Sequence, residues 1–576
     1  MPQPSTFATT PFDATQWEQI EPRLQHLLDH PATSRATLEQ WLVDRSELEA
    51  ACSEAAATLY INMTCDTDNP AARDAYLHYV EHIAPRIKPI GFELDKLQAS
   101  LCERFSLTTD RYLVLHRDTN AAVTLYRDEN VPLQTELDKL SQQYQQVTGA
   151  MTVQFDGQEK TLPQMGVYQE STDRTIRESA YRTVTARRLE DVDTIHTIFD
   201  DMIRLRDQVA RNADCADYVE YAFKSRLRFD YTPGHCFDFH EACEKRIVPL
   251  VRALDAKRRD QLGVDALRPW DLSVDPKGRA PLTPFKGGAD LVARTQRVFD
   301  QLDPQLAAMF RDLGDGASSH GARDGSSLDL DSRKGKAPGG YQYMRDLIRK
   351  PFIFMNAAGM HHDIETMVHE AGHAFHSVLC NDEPLLHYRH APIEFCEVAS
   401  MSMELLTMPH WDAFYPDPSD LARARRKQLE GSIALLPWIA TIDAFQHWLY
   451  SNPKHTRDQR RDAWRDLVAR FGNAVSWEGL EPFRDIFWQR QGHLFSVPFY
   501  YIEYGIARLG SLQLWLRSLE ESPAAALNAY KRAMTLGGSR PLPELFAAAG
   551  LRFDFGLDTV SRLVDRVERE LEKLPE

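Results

Sequence analysis

The chain has 576 residues, of which 43% are hydrophobic, 26% charged and 10% aromatic. That is enough apolar material to bury a large core, and it excludes disorder as the dominant state. Against 67 lysines and arginines stand 84 aspartates and glutamates, a formal net charge of -17. With the basic residues dispersed along the chain, such a surface repels phosphate backbones and anionic lipids and argues against a nucleic-acid partner.

In chain order, the first 30 residues show no basic start followed by an apolar run, so no secretory signal is expected. Apolar positions recur every three to four residues over 72–83, 136–144, 194–207, 290–301 and 512–519, which predicts helices there. Residues 150–155 followed by Asp156-Gly157 read as a hairpin, because Asp-Gly supplies the positive φ angles of a tight turn. Residues 231–234 form a turn-rich joint. Residues 314–340, rich in Gly, Ser, Asp and Lys, read as a long loop and a mobile element over the functional site. Short strands are expected at 341–343 and 352–355. The most apolar stretch, 433–445, is interrupted by Pro437, Thr441 and Asp443. It falls short of the roughly 20 apolar residues a membrane span needs and reads as a buried helix. No internal repeat is visible. The eight cysteines include no CxxC pair, which predicts reduced thiols in a cytoplasmic protein. The expected organisation is an N-terminal helical region over 1–195 and a catalytic region over 196–576.

The segment His369-Glu370-Ala371-Gly372-His373 is an HExxH pattern. Four residues are just over one helical turn, so both imidazoles leave the same face and can grip one zinc ion, with Glu370 beside them to handle a proton. Asp363, upstream, is placed to help start this helix. Gly372 removes a side chain where a second element can approach. His376 shares the stripe of His373 and reads as a packed histidine rather than a fourth ligand, which would close the site. A third ligand is expected from a second helix starting near Pro392, with residues 381–391 as the reversal. Spacing alone leaves Glu397, Glu394 and Glu404 open for that role. Near the C-terminus, His493, Tyr500, Tyr501 and Tyr504 form an aromatic group in which a phenol could donate to a developing oxyanion.

Taken together, His369–His373, the run Phe395-Cys396-Glu397-Val398-Ala399-Ser400, the stretch 335–341, the stretch 351–356 and the stretch 498–505 resemble the thimet oligopeptidase family of zinc metallopeptidases, and most closely its oligoendopeptidase F-like branch. The likeness runs over roughly residues 135–570. It implies a mainly α, two-lobed helical zincin with a deep substrate channel and a small β element beside the HExxH helix. It selects Glu397 as third ligand of one Zn²⁺ per chain, leaving Glu404 behind the ligands. It assigns Tyr501 and Tyr504 to the oxyanion and His493 to substrate contact. It also implies that Gly339, Gly340 and Tyr341, as a loop, and residues 352–356 including Asn356, as an edge strand, line the channel with Tyr500. Where thimet oligopeptidase has a further tyrosine, four positions before the one matching Tyr501, this chain has Val497.

The expected activity is hydrolysis of internal bonds in oligopeptides, with Glu370 as general base towards water and no membrane partner. Two alternatives stand beside it. A zinc exopeptidase would need a cation to capture a terminal carboxylate, for which Arg345 and Arg508 are candidates. A non-catalytic helical binding protein would keep the metal for stability alone.

Overall fold

The computed structural model describes residues 7–8, 12–316 and 327–575. Helices carry most of it, and among the described residues the strands form only a two-stranded and a three-stranded sheet. The sequence-predicted helices are present, most of them within longer ones. Residues 194–207 lie in Val192–Asn212, 290–301 in Gly287–Leu302, and 433–445 in the 34-residue helix Pro418–Ser451, which runs through Pro437. No described helix is long and apolar enough to cross a membrane. All eight cysteines are free.

Two hydrophobic cores divide the chain. The N-terminal one is built by Trp17–Asp29, Arg35–Cys65 and Ala84–Arg104, which bury Ile20, Leu38, Trp41, Leu94 and Leu101. Leu385 and Tyr388 enter this core from far downstream. The Tyr388 hydroxyl donates to the Arg111 carbonyl and accepts from the Leu115 amide at 3.3 Å. The larger core contains the buried Trp411, Trp464 and Trp488. Helix Asn130–Gly149, which precedes the expected boundary at 195, packs Leu140 and Tyr144 into it, with Tyr144 stacked on Phe495 at 3.7 Å.

The hairpin forms as read: Thr152–Phe155 pairs with Gln158–Thr161, and Asp156 and Gly157 take φ of 52° and 70°. The second sheet has the order Leu328–Asp331, Lys350–Ala357, Tyr341–Arg345, parallel in the first pair and antiparallel in the second.

This sheet corrects two expectations. First, residues 352–356 are not an edge. Their strand pairs with Leu328–Asp331 on one side and Tyr341–Arg345 on the other, and Phe352, Ile353 and Phe354 are fully buried. The edge beside the HExxH helix is Tyr341–Arg345. Second, the expected mobile loop contains the strand Leu328–Asp331. Its Leu-Asp alternation buries Leu328 and Leu330, and also Asp329, which is paired with Arg333 at 2.6 Å and Lys336 at 2.8 Å. The segment after this strand is tied down. The Thr67 amide donates to Gly335 O at 2.7 Å and the Ala337 amide to Thr64 O at 2.8 Å. The Asn356 side chain donates to Ala337 O and Gly339 O at 2.8 and 2.9 Å. Residues 317–326 of that expected element lie outside the described residues.

Candidate metal centre and active site

The histidine helix, His361–Leu379, begins where Asp363 accepts the amides of Ala358 and Met360 at 2.8 and 2.9 Å, which satisfies donors that a helix start leaves free. The glutamate helix, Ile393–Leu406, packs against it. A Cβ on Gly372 would lie 2.6 Å from Ser400 Cα and 2.7 Å from Ala399 O, so only glycine permits this approach.

That approach brings three donors together. Glu397 Oε2 lies 3.4 Å from His369 Nε2 and 3.8 Å from His373 Nε2. The donor atoms of the three residues all fall within 4.8 Å of one another. Two ligands on bonds of about 2.0 Å at a tetrahedral angle are about 3.3 Å apart, so the spacing suits one zinc ion. On its other nitrogen, His369 Nδ1 faces Glu404 Oε1 at 2.8 Å. Glu404 Oε2 in turn accepts from Arg508 at 2.8 Å and Gln428 at 3.1 Å. This chain fixes the ring and leaves Nε2 free to ligate. Burial opposes protonation of His369, yet Glu404 and Glu397 overcome it and raise its pKa to about 9: the trio attracts positive charge. Nitrogen and carboxylate donors that favour a cation, with the rings still partly exposed, fit a zinc ion with a position to spare.

Of the alternatives for the third acid, Glu394 points elsewhere and accepts from the Tyr231 hydroxyl at 2.7 Å, while Glu404 stands behind His369. His376 is packed and neutral, its pKa lowered to about 4 by burial and then by His390. Glu370 lies buried beside the trio. Burial foremost pushes its pKa up to about 7, with Glu397 adding to the rise and His369 and the Gln342 amide opposing it. Gln342 belongs to the edge strand, and with Tyr343 and Met344 it lines a cavity of about 220 Å³ shared with His373, His376 and His390.

The aromatic group divides. Tyr500 and Tyr504 pack at 5.2 Å and both feel the Glu397 charge. Burial above all, with that charge adding, keeps both hydroxyls protonated and therefore able to donate. Tyr501 sets its hydroxyl beside the Trp438 indole and the Gln491 amide. His493 sits among all three rings, at 5.7, 5.0 and 6.0 Å from Tyr500, Tyr501 and Tyr504, and its Nδ1 is 2.7 Å from Gln491 Nε2. Tyr341 stacks on Phe354 at 4.8 Å and its hydroxyl meets Thr64 at 2.6 Å. Asn356, partly exposed, donates to the glycine loop at Ala337 O and Gly339 O. Arg508 is committed to Glu404, and Arg345 is buried against Ser327 at 3.0 Å, so neither presents a carboxylate clamp.

Sequence reasoning missed the supports of the tyrosine turn. Phe499 holds φ of 64°, a rare state for a bulky residue. Gln446 accepts its amide at 2.5 Å and Arg228 donates to its carbonyl, while Arg226 donates to Pro498 O at 2.7 Å. No local pattern marks Arg226 and Arg228, whose partners lie some 270 residues on. Gln428 was missed for the same reason.

A helical body with two imidazoles one turn apart, an acid from a neighbouring helix and a spare glutamate beside them defines a helical metallopeptidase. The chain belongs to peptidase family M3, whose profile matches residues 167–558, and the M3 N-terminal domain matches residues 7–101. Members of this family are zinc metallopeptidases, which implies a zinc cofactor. Among named relatives, an oligoendopeptidase F homolog of Borreliella burgdorferi is 24% identical over 204 residues, 34% of each chain. A mitochondrial intermediate peptidase of Malassezia globosa is 27% identical over 180 residues, 28% of this chain and 21% of that one. The aligned stretches thus span 34% and 21% of these relatives' lengths. Likeness over the whole chain comes from solved structures. A crystal structure assigned to oligoendopeptidase F has 29% identity and a TM-score of 0.86 over 98% of both chains. PZ peptidase A with an inhibitor has 26% identity and a TM-score of 0.87 over 99% of both.

Proposed function

We propose that this peptidase is a zinc-dependent endopeptidase that hydrolyses internal bonds of oligopeptides in the cytoplasm, with one Zn²⁺ in this site held by His369, His373 and Glu397. The convergence of His369 Nε2, His373 Nε2 and Glu397 Oε2 beside Glu370 carries the reading. When bound, zinc supplies Lewis acidity, polarising the scissile carbonyl and making water easier to deprotonate. Glu370 takes the proton from the attacking water and returns it to the leaving amine. Tyr504, with Tyr500 beside it, donates to the oxygen on which charge develops. Tyr501 takes the lesser part, because its hydroxyl is already engaged, and His493 contacts the substrate at the rim of the aromatic group. An extended peptide pairs through its backbone with the Tyr341–Arg345 edge, following the Gly339–Gly340 turn that Asn356 holds. Backbone pairing of this kind reads little side-chain identity, and the engagement of Arg508 by Glu404 and of Arg345 by Ser327 favours internal bonds over a terminal carboxylate.

Peptides blocked at both ends and carrying an internal quenched fluorophore test the reading. Undiminished cleavage is expected, and cleavage that requires a free terminus overturns it. Glu370→Gln should keep the parent's zinc content and lose about 100- to 10,000-fold in kcat.

A further inference from the structure

A second set of metal-type donors lies outside the peptidase site. Helix Pro233–Ala242 carries Cys236 and His240, and helix Pro418–Ser451 carries Asp443 and His447. Each pair is four residues apart, so each shares one helical face, and the two helices pack together. Cys236 Sγ, a carboxylate oxygen of Asp443 and a ring nitrogen of His447 all fall within 4.8 Å of one another. Asp443 Oδ2 is 3.4 Å from His447 Nε2 and 2.9 Å from His240 Nε2. All four residues are buried, Asp443 completely.

An imidazolium–carboxylate pair is the ordinary explanation for such a group, and it leaves too much over. Asp443 Oδ1 is buried without a hydrogen-bond partner, and His447 Nε2 has only its long 3.4 Å contact with Asp443 Oδ2. A buried carboxylate oxygen or ring nitrogen left unpaired costs free energy, and native structures retain few of them. The pair also gives the thiol nothing to do. A divalent cation accounts for all three. The 3.4 Å separation matches the roughly 3.3 Å edge expected between ligands of one zinc ion. One thiolate, one carboxylate and one neutral imidazole balance two positive charges, which a sealed site requires.

We infer that Cys236, Asp443 and His447 form a structural site for one divalent cation of zinc's class, separate from the peptidase centre, with His240 holding the carboxylate as Glu404 holds His369. On binding, the Cys236 S–H bond breaks, its proton leaves to solvent and the sulfur electron pair forms the bond to the metal. Asp443 and His447 contribute lone pairs, and nothing is oxidised or reduced. The site joins two helices, and its neighbour Gln446 accepts the Phe499 amide, so the cation stiffens the turn that leads into the tyrosines.

Cobalt separates the two centres, because His369, His373 and Glu397 offer no sulfur. The full chain, stripped by chelator and titrated with Co²⁺ alone, should show near-ultraviolet thiolate-to-cobalt absorption. That band should persist in His373→Ala, which disables the peptidase centre, and vanish in Cys236→Ser. After reloading with Zn²⁺, the parent should hold two equivalents, and Asp443→Asn and Cys236→Ser one. A parent that binds a single equivalent and shows no sulfur band overturns the inference whether or not the variants fold. A band that survives Cys236→Ser overturns it as well. Full peptidase activity in His373→Ala with the sulfur band retained would count against the catalytic reading and leave this one standing.

Discussion

In the peptidase centre about a fifth of each imidazole is exposed, 22% for His369 and 19% for His373, whereas Asp443 is sealed and His447 nearly so, at 0% and 7%. Yet the shortest nitrogen-to-carboxylate separation across the cation position is 3.4 Å in both clusters. Donor spacing does not distinguish them; their surroundings do. Beside the open trio stand a buried acid outside the ligand set, two protonated phenols and the unpaired edge of a strand. Around His447 stand the rings of Phe223, Phe237 and Phe499. Ligand geometry makes a place for a cation, and only the further side chains make a place for a reaction.

The sharpest way to separate these contributions is to remove a group that the open cluster alone possesses. Tyr504→Phe should lower kcat by about 100- to 1000-fold on a blocked peptide, as removal of an oxyanion donor does elsewhere. Tyr501→Phe should stay close to the parent, and equal losses in the two variants would erase the division of the aromatic group. A broader perturbation moves the ligands themselves. Gly372→Ala places a Cβ against the backbone of Ser400 and Ala399, and a helix displacement near 1 Å should cost about 100-fold in kcat/KM. Full activity there would mean that the helices are not locked at this contact. Glu404→Gln should weaken zinc by about 10- to 100-fold, measured by competition with a chelator, without moving the ligands.

Asp271 tests the comparison from outside, being a buried carboxylate with arginines in place of histidines. It meets Arg177 at 3.0 Å and Arg174 at 2.8 Å. Burial pushes its pKa up, but hydrogen bonds from Arg174, the Arg268 amide and Arg177 prevail and hold it below the ordinary carboxylate range. Its contribution is therefore complete above the unfolded value of about 3.9 and is lost as pH falls through the lower folded value. Urea unfolding near neutral pH should place Asp271→Asn about 2 kcal/mol below the parent. Below pH 4 the gap should shrink, and a gap constant across that range would refute the linkage.

The geometry of the proposed peptidase centre was largely legible in the sequence because its parts are local. His369 and His373 are set by helical spacing, and Asp156-Gly157 announces its turn within two residues. Choosing among Glu394, Glu397 and Glu404 was not possible from spacing, since it depends on how far two helices rotate against each other, and Gly372 against Ser400 decides that. The sheet was misread because Phe352–Met355 looks the same as an edge or a centre until its neighbours are known. Leu328–Asp331 hid behind charges of which Asp329 proves to be buried and paired with Arg333 and Lys336. The tyrosines share a periodicity that cannot reveal which hydroxyl Trp438 and Gln491 occupy, and the supports of the Phe499 turn come from residues too distant in the chain for any local pattern.

Tyr388 and Leu385 lie on the connection between the histidine helix and the glutamate helix, and they are seated in the N-terminal core. An excised fragment starting at residue 167, where the family profile begins, would retain every proposed ligand and the tyrosines of the aromatic group. It would lack Arg111 and Leu115, which anchor the Tyr388 hydroxyl, and the linker between the two helices would keep only its contacts with downstream residues, such as Gly538 N to Tyr388 O and Arg389 to Asp346 O, both at 2.8 Å. The leading part of the chain thus helps to seat the connection between the two ligand-bearing helices of the proposed site.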